Sequence, residues 1–85
     1  MGEKYRADII INKEKLSDGS DVFVVNCINL GIASQGDTTE EAIKNIKEAI
    51  ELYLEEQPEA YEDLKITQSP PVFSFVEITK PLKNA

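Results

Sequence analysis

Residues 21–56, DVFVVNCINLGIASQGDTTEEAIKNIKEAIELYLEE, decide the fold of this 85-residue chain. Within them the hydrophobic period changes from two to about 3.6. From Asp21 to Cys27, Val22, Val24 and Asn26 alternate with Phe23, Val25 and Cys27, the pattern of a strand. A short connection, Ile28 to Gly31, leads to another strand at Ile32 to Gln35, and Gly36-Asp37 turns the chain. Thr38, with Glu41 three residues on, forms a capping box. Glu40 and Glu41 lie in the first helical turn, where the helix dipole favours negative charge. From there to about Glu56, Ala42, Ile46, Ala49, Ile50 and Tyr53 recur at helical spacing with Ile43 and Leu54 at the flanks, which predicts one buried stripe.

Upstream, Tyr5 to Lys13 (YRADIIINK) sets Tyr5, Ala7, Ile9 and Ile11 against Arg6, Asp8, Ile10 and Asn12, a half-buried strand. The polar stretch Glu14 to Ser20 contains Asp18-Gly19, a turn signal that makes the first two strands an antiparallel hairpin. Downstream, Pro58 stops the helix and opens a short helical turn over Glu59 to Leu64. Ser69-Pro70-Pro71 forces an extended entry into Val72 to Thr79 (VFSFVEIT), the predicted last strand. There Val72, Ser74, Val76 and Ile78 oppose Phe73, Phe75, Glu77 and Thr79.

The order is β-β-β-α-β. A strand reached through a helical crossover lies parallel to a strand of the same sheet, by a right-handed connection. Placing it beside the first strand predicts a sheet ordered 3-2-1-4 under one helix, a two-layer α+β sandwich. Residues 1–85 form one domain, with its core over about 5–80, because a second core does not fit this length. One helix cannot cover both sheet faces, so uncovered apolar surface is expected to serve an interface.

Composition narrows the chemistry. The chain has 9 Lys+Arg, 16 Asp+Glu, one Cys and no His, for a net charge of −7. Without His, serine–histidine and cysteine–histidine catalysis and the commonest transition-metal ligand are missing. Cys27 has no internal disulfide partner, in keeping with a reducing compartment. No apolar run reaches the roughly 18 residues of a membrane span, and Met1 to Arg6 lack the features of a signal peptide. The expectation is a cytoplasmic protein without membrane association.

Ten of the acids fall in residues 37–63 with two lysines, Lys44 and Lys47, so that segment is net −8; the remaining six acids and seven bases are net +1. Phosphate binding needs clustered Lys and Arg, so direct nucleic-acid binding is not expected. The acidic segment serves either solubility or the attraction of a basic partner, and composition does not choose between them.

The carboxylates Asp8, Glu48 and Glu77 are the candidates for a two-metal nuclease site, against the simpler reading of three surface acids. Cys27 alternates with Phe23 and Val25 and reads as a packing residue. Gly31 and Gly36 read as turn glycines, because no Lys-bearing phosphate loop follows. Tyr5, Tyr53, Tyr61, Phe23, Phe73 and Phe75 lack the interleaved bases of a stacking platform. The expectation is no catalytic residue, no cofactor and no metal.

Phe23 to Glu56 also carries a family likeness. A strand ending in a cysteine-containing turn is followed by Ala33-Ser34-Gln35-Gly36-Asp37-Thr38, Glu40-Glu41-Ala42 and Ala49-Ile50-Glu51-Leu52-Tyr53-Leu54. With the Asp18-Gly19 hairpin and the closing Pro-Pro-Val segment, residues 5–80 resemble the HicB-like antitoxins of toxin–antitoxin systems. The chain departs from that pattern where many relatives carry a proline-containing turn after the cysteine; it has Ile28, Asn29, Leu30 and Gly31. Many relatives also append a DNA-binding segment, whereas this chain stops at Ala85, so operator binding does not carry over.

The resemblance implies a fold similar to a truncated ribonuclease H sheet. It also implies a function: binding a small, basic, RNA-cleaving HicA-like toxin and occluding its catalytic face. On that reading Asp37, Glu41, Glu48, Glu51 and Glu55 supply electrostatic attraction, and exposed sheet residues supply apolar contact. The alternative is a solitary homo-oligomer, a homodimer or homotetramer without a toxin partner. A degenerate nuclease, the third reading, predicts divalent-ion binding.

Overall fold

Alternation and turn chemistry make an antiparallel meander. In the computed structural model, which describes residues 4–66 and 69–82, β1 (Ile9–Lys15), β2 (Asp21–Cys27) and β3 (Ile32–Gly36) precede α1 (Thr39–Glu56) and a 3-10 helix, Pro58–Leu64. β2 is central. It pairs with β1 from Ile9 opposite Cys27 to Lys15 opposite Asp21, and with β3 from Phe23 opposite Gly36 to Cys27 opposite Ile32. The β1–β2 turn closes locally: the Ser20 N–H and hydroxyl donate to Asp18 Oδ1 at 2.9 and 2.6 Å, while Gly19 takes φ +89°.

The register puts Ile9, Ile11, Phe23, Val25, Cys27 and Ile32 on the helix side of the sheet. There the core forms, with Val25 and Cys27 packed against Ala42, Ile46, Ile50 and Leu54, and closed at one end by Ala60 and Leu64. The buried helix positions recur every four residues. That row makes Leu54 central and leaves Tyr53 38% exposed, which corrects the expected stripe. Pro58, at the first turn, starts the 3-10 helix as expected.

Two strand assignments are also corrected. β1 begins at Ile9, not Tyr5. The residues before it are held by the end of the 3-10 helix: Tyr5 bridges Lys65 antiparallel, the Arg6 N–H donates to the Leu64 carbonyl at 2.7 Å, and the Tyr5 and Tyr61 rings lie 4.8 Å apart.

The second correction is larger. Residues 72–79 form no strand, and the sheet ordered 3-2-1-4 is replaced by a three-stranded sheet ordered β1-β2-β3. The antiparallel bridge at Lys65 directs the chain against the run of β1, and Pro70-Pro71 lack the N–H groups a ladder needs. The C-terminal segment consequently projects from the domain. The radius of gyration is 17.3 Å, against about 12 Å for a compact chain of this length, and the long dimension is 66 Å. Met1 to Glu3 and the end of the polar tail, used above for the signal-peptide and domain-end readings, lie outside the described residues.

Candidate functional site

The acidic helix is anchored at its start. Thr38 Oγ1 accepts the Glu41 N–H at 3.0 Å, and Glu41 Oε1 accepts the Asp37 N–H at 3.3 Å, a reciprocal cap displaced by one residue from the usual box. Asn45 Nδ2 donates to the Gln35 carbonyl at 2.8 Å and ties the next turn to β3. Gly36 is buried against this turn: a Cβ there would stand 2.5 Å from the Ala42 nitrogen. Gly36 is therefore needed for a close backbone approach, a correction of its reading as a turn glycine; Gly31, at φ +68°, is a turn glycine as read.

At 100° per residue, Glu41, Glu48, Glu51 and Glu55 fall within an arc of about 80°, roughly opposite the buried row. All four are exposed, and among the described residues none makes an ion pair. Their face spans about 21 Å from Glu41 to Glu55. Asp37 lies just before the cap, and it and Glu41 already serve the helix start. Leu52 stands at the border of this face, next to Glu48 and Glu55 along the helix, at 59% exposure. Its place off the apolar stripe was the signal in the sequence, and the reading above passed over it. Glu41, Glu48, Glu51 and Glu55 thus share one side of the helix, Leu52 flanks them, and Asp37 precedes the cap.

Asn29, also passed over, organises the opposite end of the sheet. Its Oδ1 accepts the Asp8 N–H at 2.7 Å, and its Nδ2 donates to Asp8 Oδ2 and to the Asp63 carbonyl, each at 3.4 Å. The Ile28 N–H donates to the Asp8 carbonyl at 2.8 Å. Arg6 Nε lies 3.0 Å from Asp8 Oδ1. Together these groups line a polar cleft of about 450 Å³ bounded by Glu62, Asp63 and Lys65. Asp8 is held in this network, Glu48 is on the outer helix face and Glu77 is on the projecting segment, so the three do not converge. Among the described residues no group of three or more Asp, Glu, Cys or His is placed to hold a metal ion. Cys27 is buried, with its Sγ 4.0 Å from Asn29 Oδ1.

Two apolar features complete the surface. A groove of about 250 Å³ runs between β1 and α1, floored by Ala7, Ile9, Ile43, Ile46 and Ile50 and lipped by Lys47 and Glu51. Among the described residues the outer edge of β1 has no neighbouring strand. On the C-terminal segment Phe75 is 81% exposed and Ile78 85%, with Val72 and Val76 similarly bare.

These surfaces define a small α+β domain with a capped acidic helix and a free sheet edge. Over 66 residues the chain is 48% identical to the UPF0150 protein ssr1765 of Synechocystis sp. (strain ATCC 27184 / PCC 6803 / Kazusa), a match covering 71% of this chain and 78% of that protein. The chain belongs to the UPF0150 family. No protein-family profile matches it, and no solved structure does. Among the described residues no helix is long and apolar enough to cross a membrane.

Proposed function

We propose that this protein is a HicB-like antitoxin, a cytoplasmic, non-enzymatic binding domain that captures a small, basic, RNA-cleaving toxin of the HicA-like type. The observation that carries the reading is the outer face of α1, where Glu41, Glu48, Glu51 and Glu55 share one arc and the exposed Leu52 borders it beside Glu48 and Glu55. An apolar side chain flanking a row of like charges suits a basic partner that has its own apolar spot: the charges steer encounter, and the leucine is buried on docking. The likeness of Phe23 to Glu56 to HicB-like sequences supports the same reading, as does a meander followed by a helix, the order of a truncated ribonuclease H sheet. The charge balance favours a protein partner over nucleic acid.

The test is co-expression with the small basic reading frame next to this gene, followed by affinity capture and a growth assay. Co-purification with rescue of growth is expected. A neighbour that is neither toxic nor captured would overturn the antitoxin reading.

A second reading, the solitary homo-oligomer, is favoured by the exposed apolar C-terminal segment.

A further inference from the structure

Residues 72–79 read VFSFVEIT, with Val72, Val76 and Ile78 on one side of an extended chain and Phe73 and Phe75 on the other. A strand apolar on both sides is suited to burial on both faces inside a sheet. Here its apolar side chains are exposed, and none of its residues is in a ladder. The same molecule has a place for such a strand. β1 presents a free edge seven residues long, beside an apolar groove formed with α1.

We propose that residues 72–79 of one chain add to the outer edge of β1 in a second copy, reciprocally, as the fourth strand of each sheet. In either register, alternate side chains enter the groove over Ile9, Ile43, Ile46 and Ile50, and the others pass over Ile10 on the opposite face, itself exposed. A two-fold arrangement pairs both free edges and covers both segments at once, leaving neither open for further growth. Three features favour a second copy over the chain's own edge. The bridge at Lys65 runs antiparallel to the line leading into β1, the prolines hold the exit extended, and the segment stands clear of its own domain. Seven of the eight segment residues are uncharged, so the match is to an apolar groove and a backbone edge, not to the acidic helix face.

This proposal deepens the homo-oligomer reading, rests on it, and does not require a toxin. The test uses the full chain in two steps. Sedimentation of the native protein is expected to show a dimer, and the double variant Val76→Asp, Ile78→Asp is expected to be monomeric with the circular dichroism of a folded domain, because both side chains are exposed in the single chain. Chains carrying Asn12→Cys are then mixed with chains carrying Phe75→Cys and treated with a short bismaleimide, to which the buried Cys27 is inaccessible. A cross-linked product containing one chain of each kind is expected. A native dimer without that product, or one that survives the double variant, overturns strand exchange and leaves the homo-oligomer reading standing. A native monomer overturns both, and a cross-link formed within a doubly substituted chain at high dilution then assigns the segment to its own β1.

Discussion

Gly36 shows how much of this fold depends on one absent methyl group. The Ala42 nitrogen and the Glu41 carbonyl carbon stand 2.5 and 2.8 Å from where a Cβ would lie. Both are backbone atoms of the first turn of α1, so no rotamer change makes room. Gly36→Ala is expected to push β3 off the helix start and to cost about 1–3 kcal/mol, as other overpacked core positions do. Urea unfolding measures it, with a lower midpoint and an unchanged slope as the outcome. A midpoint equal to that of the native protein would show that β3 and α1 separate freely. Leu52 and Asn29 teach the converse lesson. Leu52 stands exposed at the border of the acidic face, and Asn29 joins the β2–β3 turn to the start of β1.

At the scale of elements, the β1–β2 hairpin contains the charge network that responds to acid. Lys15 and Lys13 lie 3.0 and 3.4 Å from the Asp21 carboxylate. The hydrogen bond from Lys15 is the main cause that holds this carboxyl below its ordinary value of 3.8; partial desolvation opposes it, and Lys13 adds to the lowering. A carboxyl lowered in the folded state stabilises that state above the unfolded value and loses the contribution as pH falls through the folded one. Asp21→Asn is therefore expected to lower Tm slightly near pH 7, with the difference shrinking as pH falls below 3.8 and through the lowered folded value. Melting curves of both proteins between pH 7 and 2.5 check this, and a difference that persists in acid would assign the loss to packing. Salt is expected to weaken the effect in the same way, because the pair is near the surface.

At the scale of the whole molecule, the acidic face of α1 adjoins the apolar groove, with Glu51 on the lip they share. The acidic helix faces outward on one side, and the groove, the free edge of β1 and the C-terminal segment offer the apolar contacts. Two kinds of association can then coexist, one steered by charge and one driven by burial. Glu48→Lys with Glu55→Lys is expected to slow association with a basic partner by about tenfold or more in low salt, with the difference shrinking toward 0.5 M salt. The same variant is expected to leave self-association unchanged. Stopped-flow binding and sedimentation read the two effects separately, and an association rate indifferent to the reversal would make the acidic face a solubility device.

Much of the fold was legible in the chain because it is written locally. The Asp18-Gly19 turn, the Thr38–Glu41 cap, the apolar row of α1 and the helical restart at Pro58 each depend on residues within a few positions of one another. Local chemistry also placed Glu41, Glu48 and Glu55, seven apart, on a single helix face. Alternation marked Val72 to Thr79 as the last strand, but it could not say whether the segment would join a sheet, and it does not. That depends on which edge is open and on the direction in which the chain leaves Lys65. The start of β1, shortened by the bridge from Tyr5 to Lys65, the approach of Gly36 to Ala42 and the bonds of Asn29 to Asp8 and Asp63 are likewise long-range. Period, turn and cap are properties of neighbouring residues and can be read along the chain, whereas edges, grooves and side-chain networks exist only once distant segments have met.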